Sequence, residues 1–316
     1  MSIYLITGAT GYIGSQLIRY LHRQDKNNRI IALVRNVQKA EKMFEDDIDI
    51  RQIDLSKPTE MERLEAACDY IIHCASITKS SEMVSHPVEV IESIVNTTQN
   101  ILEYARQRQV KSMVYLSSME VYGNIDCSDG HKVSEQELGD IDICSVRSCY
   151  PLGKRMAENI CYSYYKEYRV PVKIARLAQT FGQGILPDDN RVFAQFANSV
   201  KRGTDIVLHT DGSSMGNYCS ISDAVSGILT ILDRGVNGEI YNVVNETNTM
   251  SIRDMAELVA SEVAHHTINV SIELQDTART GYAPNTGLRL SGEKLQRLGW
   301  EPTENIIEMY TQVLKS

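Results

Sequence analysis

Ile3-Tyr-Leu-Ile-Thr7 runs without a break into Gly8-Ala-Thr-Gly11-Tyr-Ile-Gly14, and Tyr12–Tyr20 continues with helical spacing. An apolar strand, a glycine turn and a helix in that order make a seat for a diphosphate. The glycines let the backbone approach the phosphates, and the helix N-terminus offers unpaired N–H groups with a partial positive charge. A lone string of three glycines also fits an ordinary turn. Its context argues otherwise, because strand and helix patterns alternate along the first half of the chain. The spacing therefore predicts an α/β fold, a doubly wound parallel sheet, with Gly8, Thr10, Gly11, Tyr12, Ile13 and Gly14 against a dinucleotide.

The 316 residues allow one large α/β domain and a smaller one. The net charge of −9 argues against a nucleic-acid partner, which would call for a basic surface. No apolar run is long enough to cross a bilayer, so no membrane partner is expected. The first residues lack a basic region followed by an apolar core and a cleavage site, so no signal peptide is expected. Seven scattered cysteines without a C-x-x-C pair fit a reducing cytoplasm and argue against a disulfide framework or a metal site.

Further strands follow in order. Arg29–Val34 reads as the second, with Arg35 directly after it. In a doubly wound fold that position faces the adenosine ribose. An acid there suits NAD, whereas an arginine accommodates the 2′-phosphate of NADP. Arg35 thus points to NADP, with NAD possible, since a surface arginine also stacks on adenine. Asp49–Ile53 reads as a third strand, leading to Asp54 and Leu55 as candidate adenine contacts. Asp54 reads equally well as a cap. Cys68–Cys74 reads as the fourth. It is followed by Ala75 and Ser76, small enough for a flat cofactor to lie across the sheet, with Cys74 and Thr78 as further candidates. Pro87–Arg108 reads as a helix with proline in its first turn. Lys111–Leu116 is a fifth strand, delivering Ser117-Ser118-Met-Glu120-Val-Tyr-Gly123.

Asn124–Arg147 reads as a long polar loop over the site. A helix opens at Tyr150-Pro-Leu-Gly-Lys154 and runs to Tyr168. A sixth strand, Val170–Leu177, leads to Ala178 and Gln179 as candidate cofactor and substrate contacts. Beyond it the alternation loosens into a helix at Asn190–Arg202 and a short strand at Asp205–His209. A helix from Ser222 to Leu232, a strand at Glu239–Val244 and helices at Ser251–Val263 and Asn305–Val313 complete the chain. The expected division is a dinucleotide-binding domain over 1–178 and a substrate domain over 179–316. A segment at about 222–245 of the second is expected to pack back on the first.

Ser118, at the end of the fifth strand, and the Tyr150/Lys154 pair, which shares a helix face at i, i+4, converge on one chemistry. Free tyrosine titrates near pH 10, too high for a neutral-pH base. An adjacent ammonium stabilises the phenolate and is expected to lower that value. The phenol can then take a proton from a substrate hydroxyl while hydride leaves the same carbon, with the serine hydroxyl holding the reacting oxygen.

With these residues the chain resembles the extended short-chain dehydrogenase/reductases, in the branch of nucleotide-sugar epimerases, dehydratases and decarboxylases. Gly8-Ala-Thr-Gly-Tyr-Ile-Gly14 is similar to its cofactor turn, Ser118 through Gly123 to its serine/threonine-then-V-Y-G segment, Tyr150 and Lys154 to its catalytic pair, and Leu298-Gly-Trp300 to its C-terminal signature. Arg147 to Val192 most resembles UDP-glucuronate decarboxylases. The resemblance implies a Rossmann fold and a nucleotide-sugar substrate oxidised to a transient 4-keto sugar, with hydride then returned. It also implies a homodimer through the helices at Pro87–Arg108 and Tyr150–Tyr168. It gives Lys154 a hold on the nicotinamide ribose and Glu120 a second acid/base role. Glu120 serves equally well as a structural partner of the loop.

The pattern departs at Gly184 and Gly216, where similar decarboxylases carry arginines, and at Gln179, where asparagine is usual. Without those arginines bidentate carboxylate binding is lost, which argues against UDP-glucuronate as substrate. Arg191 remains a candidate for the diphosphate, and Arg279 and Arg289 are weaker ones. Epimerase is the leading expectation, with dehydratase close behind. Alternatives are an NADPH-dependent keto-sugar reductase, which consumes cofactor, and a non-catalytic dinucleotide sensor.

Overall fold

The computed structural model describes residues 1–45, 47–185, 189–275 and 286–315. Seven strands form one wholly parallel sheet: β1 (Ile3–Thr7), β2 (Arg29–Val34), β3 (Asp49–Gln52), β4 (Tyr70–His73), β5 (Ser112–Ser118), β6 (Val172–Leu177) and β7 (Ile240–Val243). Their order is β7-β6-β5-β4-β1-β2-β3. The chain winds outward from β1 through β2 to β3, then crosses back to β4. A crevice opens where the winding reverses, at the carboxyl ends of β1 and β4, and such a crevice is where ligands bind in this topology.

The strands are continuous apolar runs because helices cover both faces. Met113, Val114, Tyr115 and Leu116 of β5 are all buried. On one face lie α1 (Tyr12–Gln24) and a later helix over Ile221–Arg234, sharing a core that includes Leu17, Ile18 and Ile228. On the other face α2 (Pro87–Arg108) and α3 (Cys149–Tyr168) run together, burying Ile94, Ile101, Ala157 and Cys161. Proline starts α2 at a position with no N–H to lose, and Gln109 ends it in the left-handed region at φ 51°. Arg169 ends α3 in the same way at φ 60°.

The C-terminal half adds α4 (Val192–Arg202), α5 (the Ile221–Arg234 helix), α6 (Ile252–Leu258) and α7 (Ile306–Lys315). Phe181, Phe193, Tyr218, Met255 and Tyr310 form a separate core there. Three short strand pairs cross it: Gln179–Phe181 with Tyr218–Ser220, Ile206–Leu208 with Val270–Ile272, and Met215–Gly216 with Met250–Ser251. The helix expected over Ser251–Val263 is α6 followed by a wider π turn at Val259–Val263. The fourth strand is shorter than expected, because it begins at Tyr70, opposite Ser112, the first residue of β5.

β7 extends the main sheet by pairing Ile240 with Ile174, so part of the C-terminal half completes the first layer. Ser220 caps α5 by accepting from the Asp223 N–H at 3.0 Å. The Asp223 carboxylate accepts from Thr303 and Glu304, and Trp300 Nε1 donates to Asp223 O at 3.2 Å and Ser226 Oγ at 3.0 Å. These bonds clamp the end of the chain onto α5.

Candidate active site

Three backbones meet at the crevice. Gly8 sits at φ +61°, and a Cβ there would lie 2.8 Å from Ala75 N. A Cβ on Gly14 would lie 2.4 Å from Gly8 O. The turn is closed by Gly11 N–H donating to Gly8 O at 2.9 Å. No side chain caps the start of α1 and no acid lies in its first turn. Tyr12, Ile13 and Gly14 therefore offer free N–H groups at a positive helix end, a fit for a pyrophosphate.

Thr7 locks this turn to the end of β4. Its Oγ1 accepts from the N–H of Cys74 and of Ala75, each at 3.1 Å, and lies 2.7 Å from His73 Nδ1. Two accepted bonds fill the hydroxyl's lone pairs, so its one proton goes to Nδ1 and His73 is neutral with its hydrogen on Nε2. Burial, aided by the nearby Lys154 ammonium, pushes His73 down to about 3. Cys74, Ala75 and Ser76 are half-buried at this rim, while Thr78 is exposed.

At the far end Arg35 is exposed and lines a depression of about 350 Å³ with Asn36, Val37, Gln38 and Gln52. No acid lines it. Asp54 behaves as a local cap: its carboxylate accepts from the Ser56 N–H at 3.1 Å and hydroxyl at 2.7 Å, and these bonds hold it below the usual carboxylate range. Leu55 is a core residue, buried with Met61 and Leu64.

The structure brings Ser118, Glu120, Tyr150 and Lys154 together. Ser118 ends β5, and its Oγ accepts from the Glu120 N–H at 3.2 Å, capping a 3₁₀ turn at Met119–Tyr122. That turn aims Glu120 back toward the helix carrying Tyr150. The Ser118 hydroxyl also lies against the Tyr150 phenol, and both Glu120 and Arg147 act on that phenol through their charges. Lys154 is 3% exposed, and its Nζ donates to Leu116 O at 2.9 Å, 5.8 Å from the Tyr150 ring centre. Burial brings this ammonium down to about 8, against the opposing pull of Glu158.

The expected lowering of the Tyr150 phenol is not what the structure gives. Burial raises it, the Glu120 charge adds to the rise, and the Ser118 hydrogen bond with Arg191 and Arg147 opposes it. Desolvation of a fully enclosed phenolate outweighs the neighbouring charges in this state.

Arg147 escaped the sequence reading. Its Nη1 donates to Glu120 Oε2 at 2.7 Å and its Nη2 to Oε1 at 3.4 Å. Its signal was present, three residues before Tyr150, but the 27-residue separation from Glu120 hid the pairing. Deeper in, Glu158 accepts from Ser117 Oγ at 2.6 Å and from Arg176 at 2.7 and 3.0 Å, all buried.

The substrate candidates spread outward. Ala178 is buried, its N–H donating to Val243 O, and Gln179 pairs with Tyr218 beside it. Arg191 acts on both Tyr12 and Tyr150 through its charge, while ion-pairing Asp189 at 2.5 Å and lying over the Phe193 ring. Arg289 lines an open cleft of about 550 Å³ with Asn124, Asp126, Ser128 and Met215. Arg279 lies outside the described residues. The two departures are spatially fixed. A Cβ at Gly216 would lie 2.2 Å from the Tyr218 hydroxyl, and one at Gly184, where φ is +73°, would lie 2.6 Å from Gln16 Nε2.

The sequence model of the NAD dependent epimerase/dehydratase family matches residues 4–244. The chain is 28% identical over 307 residues to UDP-glucuronic acid decarboxylase 3 of Arabidopsis thaliana, spanning 96% of this chain and 85% of that one. It is 28% identical over 284 residues to dTDP-D-glucose 4,6-dehydratase of Dictyostelium discoideum, spanning 85% and 62%. Among solved structures it superposes on the UDP-glucose 4-epimerase of Thermotoga maritima with a TM-score of 0.84 at 19% identity, covering 99% and 97%.

Proposed function

Because the chain belongs to the NAD dependent epimerase/dehydratase family, we propose that it acts on a nucleotide-linked sugar through a transient 4-keto sugar, epimerisation being favoured over dehydration. The observation that carries this reading is the meeting of Ser118, Glu120 and Tyr150 beside Lys154, at the rim of the crevice whose floor is the uncapped start of α1.

When bound, the dinucleotide supplies a reversible hydride acceptor. The Ser118 hydroxyl orients the sugar's 4-hydroxyl, and Tyr150 takes its proton. Lys154 contributes charge and a hold on the nicotinamide ribose. Glu120, held through both oxygens by the Arg147 guanidinium, is placed as the second acid/base group, facing the carbon that the ketone acidifies. With glycine at 184 and 216, neither of these positions supplies a cation to a sugar carboxylate, which favours a neutral sugar, and Arg191 serves the diphosphate.

Arg35 and its acid-free depression favour NADP over NAD. The same feature motivates the second reading, a reductase that consumes NADPH. A homodimer through α2 and α3 is supported by exposed Val88, Ile91, Met156, Tyr162 and Tyr168. Tyr164 and Tyr165 of the same tyrosine-rich face are instead partly buried against the core. We divide the chain at 178/179 into dinucleotide and substrate domains, with α5 and β7 packing back on the first. Among the described residues no helix is long and apolar enough to cross a membrane. The seven free cysteines suit a reducing compartment, and on that ground we assign the protein to the cytoplasm.

The test is incubation with UDP-glucose, UDP-glucuronate and dTDP-glucose, and with a nucleotide-linked 4-keto sugar as hydride acceptor, under oxidised and reduced dinucleotide. Products are followed by mass spectrometry and absorbance at the nicotinamide wavelength. Turnover without net NADPH oxidation supports the epimerase or dehydratase reading. Stoichiometric oxidation supports the reductase. Unchanged cellular function in a Tyr150→Phe variant would revive the non-catalytic sensor.

A further inference from the structure

Lys154 presents a problem that its hydrogen bonds do not solve. The ammonium is 3% exposed, carries three N–H donors, and has one protein acceptor, Leu116 O at 2.9 Å. Among the described residues no carboxylate comes within 4.0 Å of it. The ionisable groups around it are Glu158 and Cys161 on its own helix, His73 and Cys74 at the end of β4, Tyr115 on β5, and Tyr150. His73 is a neutral imidazole, as the Thr7 bonding requires. Burial pushes both thiols and both phenols upward, so they too are uncharged. Glu158 is the only anion of the set, and its oxygens are already committed to Arg176 and Ser117.

What does face the ammonium is an aromatic surface. Nζ lies 4.9 Å from the centre of the Tyr115 ring. Tyr115 is 1% exposed, and its ring is braced by His73 at 5.7 Å between centroids. Its register in the sheet, opposite His73 and Ile174, fixes where that ring stands. Its hydroxyl is buried beside Thr98, whose own hydroxyl proton goes to Ile94 O at 2.6 Å, and it meets no partner at hydrogen-bonding geometry. A buried tyrosine whose hydroxyl is idle contributes through its ring, and a ring face attracts a desolvated cation.

We infer that Tyr115 is the positioning residue of Lys154: its ring face holds the ammonium at the carboxyl end of β5, turned toward the dinucleotide crevice. Nothing in the chemistry of hydride or proton transfer passes through Tyr115. It acts by keeping a buried lysine both charged and in place. This inference rests on the proposal that Lys154 grips the cofactor.

The test uses dinucleotide affinity, so it does not depend on knowing the sugar. Binding of NADPH, and separately NADH, to the whole protein is measured by calorimetry from pH 6 to 10. The wild type, Lys154→Met, Tyr115→Phe and Tyr115→Leu are compared. Wild-type affinity is expected to fall as pH rises through about 8, where Lys154 loses its proton, and Lys154→Met is expected to lack that step. Tyr115→Phe keeps the ring and should reproduce the wild-type profile. Tyr115→Leu should move the step down by about 1 pH unit.

Should Tyr115→Leu fold poorly, mono- and trifluorinated phenylalanine at position 115 weaken the ring face at nearly constant shape. The step should then descend with fluorination. A step that stays put across that series, or a Tyr115→Phe variant as impaired as Tyr115→Leu, overturns the inference. A wild type whose affinity does not respond to Lys154→Met removes the cofactor role of the lysine, and with it this inference. A wild type that binds neither dinucleotide overturns the enzymatic reading itself.

Discussion

Arg147 holds Glu120 by both carboxylate oxygens, at 2.7 and 3.4 Å, and so ties the turn that follows Ser118 to the turn that precedes Tyr150. The two side chains are 26% and 34% exposed, so the pair contributes little to global stability. Its value is geometric: it fixes the carboxylate relative to two other reacting groups. Arg147→Gln should therefore leave the melting temperature and dinucleotide affinity near wild type. It should lower turnover about 100-fold, the scale of a misplacement of about 1 Å in a reacting group. Arg147→Lys should recover part of this, because a point charge cannot reproduce the fork. Steady-state kinetics beside a thermal melt decides it. Unchanged turnover would reduce the pair to a surface contact.

Tyr150 is the residue whose loss should matter most to chemistry and least to folding. Tyr150→Phe keeps the ring, packed among the side chains of α2 and α3, and removes only a hydroxyl that lies against Ser118. Turnover should fall by about 10²- to 10⁴-fold, the range for a positioned proton-transfer group. Because burial raises the phenol in the free protein, the active phenolate depends on charge arriving with the bound dinucleotide. A pH–rate profile of the complex should accordingly show its acidic limb, where the phenolate takes up a proton and activity is lost, below the value at which Tyr150 titrates in the free protein, measured by ultraviolet difference against Tyr150→Phe. Coincident values would remove that dependence.

His73 makes the protein sensitive to acid. Its folded value, about 3, lies below the ordinary 6.5 because the imidazole is buried. Above pH 6.5 both folded and unfolded chains hold it neutral, and stability is flat with respect to this group. Between 6.5 and about 3 the unfolded chain binds a proton that the folded one refuses, so stability falls by at most about 1.4 kcal/mol per pH unit. Urea midpoints at pH 7.5, 6.5 and 5.5 should show the decline, and His73→Gln should flatten it. An equal slope in both proteins would assign the acid sensitivity elsewhere.

Cofactor choice should turn on Arg35. The guanidinium is exposed beside Asn36, Gln38 and Gln52, so replacing it disturbs no core packing. Arg35→Glu should weaken NADPH about 10- to 100-fold, the worth of one charge-assisted bond, and leave NADH equal or improved. Paired titrations with the two dinucleotides suffice. Equal losses for both would mean that the arginine stacks on adenine.

The contrast between Arg35 and Arg147 marks what was legible in the sequence. Glycines at fixed offsets, apolar runs of strand length, a proline at a helix start and an i, i+4 pair are local signals. They led to β1, to α2 with its bounds, and to the meeting of Ser118 with Tyr150 and Lys154. Arg147 on Glu120, and Tyr115 under Lys154, arise only once β5 and α3 are packed together. Within its own strand Tyr115 is one more apolar residue. The strand pairs of two or three residues in the C-terminal half are too short to carry a period. The rise of the Tyr150 phenol is not legible in the sequence, because desolvation depends on enclosure, which a helix-face argument does not contain.

The buried pair beneath the site should behave in the opposite way to the pair at its rim. Glu158 and Arg176 are 7% and 2% exposed, joined at 2.7 and 3.0 Å, and Glu158 also accepts from Ser117, the neighbour of Ser118. Removing one charge strands the other in a dry interior. Glu158→Gln should cost about 3–5 kcal/mol by denaturant unfolding. Glu158→Gln combined with Arg176→Met removes both charges and should recover a large part of that loss, since the penalty lies in the orphaned guanidinium. Activity need not return with stability, because Ser117 would still lack its anionic acceptor and Ser118 follows it on the same strand. If the double variant is as unstable as the single, the pair is held by packing and not by charge.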